Sequence, residues 1–161
     1  MNYRPDKIIS GGQYGADLAG LDAAQALGIP TGGTAPRGWR VQLPDGSESS
    51  NPALVDYGLV EHQSRSYPPR TRANVRDSDG TVWFGYEHSG GGRLTLQTCT
   101  HLGKPSIINP TPEQLREWAI AKQIRILNVA GNRASDLNPT IYDCSYTTLV
   151  VAFSEATPPA A

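Results

Sequence analysis

The stretch KIISGGQYGADLAGLDAAQALGIP, residues 7–30, decides the fold. Lys7 to Ser10 is short, apolar and β-branched, which predicts a strand. Asp17 to Leu27 sets Leu18, Leu21 and Leu27 on a helical stripe, with Asp17 in the first turn. Gly28 and Pro30 supply the stop. Between strand and helix lie Gly11, Gly12, Gln13, Gly15 and Ala16. Such a junction is either a plain tight turn or a cradle for an anion, in which backbone N–H groups and the helix N-terminus face the ligand. Both readings stand here, because Asp17 would compete with an anion for the same donors. The spacing is neither the G-x-G-x-x-G of dinucleotide binders nor a P-loop.

The same succession recurs along the chain. Leu59 to Gln63 reads as a short strand, and a helix starts at Pro68 and Pro69 and runs to about Asp77. Thr81 to Tyr86 is the clearest strand. Arg93 to Leu102 reads as a helix closed by Gly103, and Pro105 to Asn109 as a strand. Thr111-Pro112-Glu113-Gln114 is a capping box that opens a helix with Leu115 and Trp118 inward. Ile124 to Val129 reads as a strand and 140–155 as a last helix. Residues 31–52 carry Gly32, Gly33, Pro36 and Gly38 and read as loop. Strand, loop and helix in repetition predict one α/β domain over residues 1–161, a mainly parallel, doubly wound sheet with helices on both faces. Residues 156–161 are expected to fray. In such sheets ligands sit at the carboxyl ends of the strands, here the loops after Ser10, Tyr86 and Val129.

The second glycine loop, Ser89-Gly90-Gly91-Gly92-Arg93-Leu94-Thr95, follows the best strand and precedes a helix. Arg93 can meet an oxyanion with a bidentate fork, and Ser89 and Thr95 offer hydroxyls. Ala35-Pro36-Arg37-Gly38-Trp39-Arg40 sets guanidiniums beside an indole, as a clamp for an anion or as an anchored surface loop. Asn132 and Arg133 stand at a strand end. Asp77 and Asp79, two residues apart before Thr81, could act as an acid–base pair or hold a divalent ion, or could cap the preceding helix and shape a turn; the turn reading comes first because they lie at the amino end of that strand.

Composition narrows the partners. The net charge is −1, with 18% charged and 38% hydrophobic residues. No basic excess or polybasic run points to nucleic acid or a membrane surface. Cys99 and Cys144 lie far apart without a C-x-x-C, which leaves a disulfide open; because Met1-Asn2-Tyr3-Arg4 does not read as a signal peptide, free thiols and a cytoplasmic location are the expectation. His62, His88 and His101 lack metal-ligand spacing, so no directly ligated metal is predicted. No G-x-S-x-G elbow is present and neither cysteine has a local partner, so no nucleophile stands out.

The ordered motifs IISGGQYGADLAGLDAAQALGIPTGG, APRGWR, NVRDSDGTVWF, SGGGRLT and ILNVAGNR resemble the molybdenum carrier family, the molybdenum-cofactor carrier proteins of bacteria and algae. The resemblance spans about Lys7 to Arg133. It implies a Rossmann-like fold, related to the cytokinin-activating phosphoribohydrolases and DNA-processing proteins. It also implies a homo-oligomer, commonly a tetramer, that binds molybdenum cofactor or a related anionic ligand without chemistry and passes it to molybdoenzymes. By motif, the resemblance assigns ligand contacts to Gly11, Gly12, Gln13, Gly15 and Asp17, to Asp77, Asp79, Gly80 and Thr81, and to Ser89, Gly90, Gly91, Arg93 and Thr95. With Ala16, Arg37, Gly92 and Asn132 these make up the candidate site, and Trp39 is a candidate shield for the pterin ring. Tyr14 and Gly92 stand where the family usually has Thr, and Gly-Asn-Arg replaces a more usual Gly-Pro-Arg. The phosphoribohydrolases carry P-G-G-x-G-T-x-x-E, whose glutamate assists glycosidic cleavage. Gln97 falls about where that glutamate would be and cannot exchange a proton, which favours a carrier, or a sensor of a nucleotide-derived ligand, over a hydrolase.

Overall fold

The backbone ladder explains why a stretch so rich in glycine is not a loop. The structure, a computed structural model, describes residues 3–154. The expected frayed tail, residues 156–161, lies outside the described residues. A six-stranded parallel sheet runs through β1 (Lys7–Ile9), β2 (Thr31–Ala35), β5 (Leu59–Glu61), β6 (Gly80–Phe84), β7 (Ser106–Ile108) and β8 (Ile126–Gly131), in the order β5-β2-β1-β8-β6-β7. A hairpin, β3 (Arg40–Gln42) with β4 (Glu48–Ser50), stands apart from it.

Residues 31–52, expected as loop, therefore contain a sheet strand and a hairpin. Gly33 has φ 128°, and a Cβ there would sit 2.1 Å from the Ser10 carbonyl oxygen. The glycine that looks like a breaker is what lets β2 run this close to the end of β1. Asn74 then accepts from the Thr34 N–H (2.9 Å) and donates to its carbonyl (3.0 Å), taking the place of a strand neighbour.

Among the described residues, five α-helices cover the sheet: α1 (Ala16–Leu27), α2 (Tyr67–Arg76), α3 (Gly90–His101), α4 (Pro112–Ala121) and α5 (Ile141–Phe153). The Thr111–Gln114 capping box is formed, and Leu115 is fully buried behind it. On one face α1, α4 and α5 bury Ile8, Val82, Phe84, Leu127 and Val129 in the main core. Side chains alternate across a strand. The opposite face, under α2 and α3, thus receives Thr81, Trp83 and Asn128, all buried. A smaller cluster of Leu21, Ala35, Val41, Leu54 and Leu59 roots the hairpin, with Trp39 packed against it.

The chain moves from β1 outward through β2 to β5, crosses to β6 and β7, and returns as β8 between β1 and β6. The direction of winding reverses beside β1 and β8, and a crevice opens at the carboxyl ends of strands where that happens.

Candidate functional site

The loops after β1, β6 and β8 meet at this reversal and are fastened to one another. Gly15 bridges Arg133, the Ala134 N–H bonds the Tyr14 carbonyl at 2.9 Å, and the Ala16 N–H bonds the Asn132 carbonyl at 3.3 Å. Gly15 has φ 111°, and a Cβ on it would lie 2.5 Å from the Ala134 nitrogen, so only glycine permits this seam. The Asn132 amide then reaches across. Its oxygen accepts from the Tyr86 N–H and its nitrogen donates to the Ser89 hydroxyl at 3.2 Å. Ser89 caps α3, accepting from the Gly92 N–H at 3.1 Å. The three glycines expected in a loop are the first turn of α3. A first turn leaves N–H groups without intrahelical partners, so Gly90 and Gly91 present theirs outward with the positive end of the helix dipole.

A cleft of about 800 Å³ lies between these loops, the hairpin tip and α2. At its base the Asp17 carboxylate meets the Arg70 guanidinium at 3.2 Å, with the side chains only 6% and 15% exposed. Burial pushes the Asp17 carboxyl up and the Arg70 guanidinium down, each against the pull of the other. Asp17 Oδ2 also accepts from the Gln13 N–H at 3.3 Å. A Cβ on Gly11 would stand 1.9 Å from Arg70 Nη1, so any larger residue there displaces the guanidinium of this pair. The Tyr67 ring lies 4.6 Å from the Arg40 guanidinium and 5.6 Å from that of Arg70, within cation–π range. Arg40 is held in turn by Glu48 on β4.

Among the described residues, four buried side-chain polar atoms find no hydrogen-bond partner: Gln13 Oε1, Tyr67 OH, Arg70 Nε and Trp83 Nε1. All four belong to residues that line this cleft. Buried polar groups are nearly always paired, so orphans gathered around one cavity point to a ligand.

The candidate residues divide. Gly11, Gln13, Asp17, Ser89, Gly90, Gly91, Thr95 and Asn132 line the cleft. Gly12 does not; it packs on Leu54 and Leu59 with φ 75°. Gly15 and Ala16 form the seam behind the cleft. Gly92 is buried against the Glu87 backbone, where a Cβ would come within 2.3 Å of a carbonyl oxygen. Thr81 is wholly buried inside the sheet and accepts from Asn128 at 3.1 Å. Asp79 accepts from the Arg125 and Ile126 N–H groups at the amino end of β8, away from the cleft. Asp77 pairs with Arg76 on the surface. Arg37 and Arg93 are exposed and outside the lining, and Trp39 packs on the smaller apolar cluster. Gln97 is exposed in the outer groove between α2 and α3, beside Arg72 and His101.

The cleft also takes in Tyr67, Arg70, Asn74 and Trp83, which are not among the residues expected from the sequence, and Arg133, which the sequence marks only as standing at a strand end. Arg133 lines the cleft as an exposed cation. No three His, Cys, Asp or Glu side chains gather as a metal site among the described residues, and neither cysteine lines the cleft. No described helix is long and apolar enough to cross a membrane.

Comparison with known proteins agrees with this architecture. None of the curated proteins matches the chain. Among solved structures, a crystal structure from Syntrophus aciditrophicus SB, named "Putative molybdenum carrier protein", is 33% identical with a TM-score of 0.78. The superposition covers 96% of this chain and 98% of that one. The family described as circularly permutated YpsA SLOG matches over residues 8–153. From the ladder of parallel strands to the glycine seams, the chain belongs to the circularly permutated YpsA SLOG family.

Proposed function

We propose that the chain is a binding protein that carries a small phosphate-bearing ring compound, molybdenum cofactor or a pterin phosphate of that class, without turning it over. The observation that carries this reading is the set of four orphaned buried polar atoms, all on residues of one cleft. A ligand of this class satisfies both kinds of group there. Its phosphate suits the N–H groups of Gly90 and Gly91, the dipole of α3 and the Arg133 cation. Its ring offers polar atoms to Gln13, Tyr67, Arg70 and Trp83. The name of the Syntrophus protein supports a molybdenum-related cargo. Because no cysteine lines the cleft, the metal would travel on the cofactor's own sulfur atoms, as part of the cargo.

Carriage without turnover fits Asp17, the one carboxylate that lines the cleft among the described residues, which Arg70 and the Gln13 N–H already engage. Working as a homo-oligomer, a tetramer by the family resemblance, the protein would hand its cargo to molybdoenzymes. The same donors suit a nucleotide, so a sensor of a nucleotide-derived ligand is the second reading. The test is to denature freshly purified protein, oxidise the supernatant, and assay pterin fluorescence and molybdenum together. Pterin and metal near one per chain are expected. A bound nucleotide in their place would overturn the carrier reading in favour of the sensor.

A further inference from the structure

Two ends of the cleft differ in chemistry. One end is the α3 N-terminus, with donors only. The other is a connected group on the β1–α1 loop and α2, which holds acceptors as well as donors. Gln13 is 2% exposed, and its Nε2 is committed to the Arg40 carbonyl at 2.9 Å. That bond fixes the amide, so the orphaned Oε1 is the atom left over. Asp17 Oδ2 takes both hydrogen bonds given to that carboxylate, and Oδ1 takes none from the described residues. Gln13 and Asp17 are joined through the Gln13 N–H, which places two acceptors in one group. Arg70, bonded to the same carboxylate, contributes the orphaned Nε donor, and Tyr67 under its guanidinium contributes a hydroxyl.

We propose that this group reads the polar edge of a 2-amino-4-oxo pyrimidine ring, the chemistry shared by a pterin and a guanine, with Gln13 Oε1 accepting from the amine, Asp17 Oδ1 accepting from the ring N–H, and Arg70 Nε and Tyr67 OH both donating to the oxo group. The inference rests on the phosphate-and-ring reading of the cleft and adds which ring it selects. Such an edge carries two adjacent donors beside an acceptor. An adenine edge carries one amine beside a ring nitrogen, which turns a lone pair toward one of the two acceptors. A hypoxanthine edge lacks the amine and leaves one acceptor unmet. Sites built around buried polar groups reject ligands that leave them unpaired.

Calorimetric titration of the full chain with GMP, IMP, AMP, ribose 5-phosphate and a phosphorylated pterin tests this. GMP and the pterin should bind at least tenfold more tightly than IMP and AMP, with ribose 5-phosphate weakest, and the tighter of the first two identifies the source of the ring. Gln13→Leu should bring the GMP-to-IMP preference to within twofold of unity. Should that variant not fold, Tyr67→Phe should lower GMP affinity fivefold or more relative to ribose 5-phosphate. Equal affinity for GMP, IMP and AMP would overturn the ring assignment and leave the phosphate-binding reading standing. No binding by any of the phosphates would overturn both.

Discussion

Arg70→Met isolates the ion pair at the base of the cleft and sets burial against pairing. Methionine fills much of the space of the arginine stem but carries no charge. The change leaves Asp17, 6% exposed, without its counter-ion. Removing one partner of a buried pair costs about 3–5 kcal/mol. The Asp17 carboxyl already stands above its ordinary range, because burial outweighs the pull of Arg70 and the Gln13 N–H. A carboxyl raised in the folded state binds protons there that the unfolded chain does not. Its contribution to stability is fully present below the unfolded pKa of about 3.9 and is lost as pH rises through the folded value.

Without Arg70 nothing but the Gln13 N–H opposes burial, so the upper end of that window moves to higher pH. Within the window, stability falls by up to about 1.4 kcal/mol per pH unit. Urea unfolding should therefore give a deficit near the full 3–5 kcal/mol at pH 8 that shrinks steadily toward pH 4. The double variant Asp17→Asn with Arg70→Met buries no charge and should recover most of the loss at pH 8. A deficit equal at pH 4 and pH 8, or a double variant no better than the single one, would refute the claim that an unpaired buried carboxylate is the cause.

Three further outcomes follow from the seams and the cradle. Gly85→Ala puts a Cβ 2.1 Å from Asn132 Oδ1 at a residue with φ 110°; thermal unfolding should show a loss of about 1–3 kcal/mol. Ser89→Ala removes the α3 cap and the Asn132 partner, which should cost about 1 kcal/mol in chemical unfolding. Arg133→Ala should weaken inorganic phosphate about tenfold in a titration, roughly 1.4 kcal/mol, whereas Arg93→Ala should change it less than twofold. The reverse ranking would return the anion contact to Arg93.

What the sequence disclosed follows from which signals it uses. The strand and helix around the first glycine loop were legible because apolar periodicity marks both. The β2 strand was not, because Gly32 and Gly33 look the same whether they break a ladder or let two backbones approach. The site residues on α2 were missed for a related reason. Tyr67, Arg70, Thr71 and Asn74 share the spacing of one helix face and line the cleft, so the inward stripe is polar where a search for cores looks for apolar residues. Trp83 has the sequence pattern of an ordinary strand aromatic, and only the fold shows its buried indole N–H without a partner. Arg93 shows how a boundary error becomes a functional one. Taking Gly90–Gly92 as loop leaves Arg93 free to turn toward a ligand. Once α3 starts at Gly90, the helical phase is fixed by Gly91 and Thr95, which face the cleft, with the Thr95 hydroxyl on the Gly91 carbonyl at 2.8 Å. Arg93 lies two residues from each, about 200° around the helix, and is carried out to solvent. The exposed cation of the cleft, Arg133, comes instead from the end of β8, where Gly15 and Asn132 hold the chain against the other two loops.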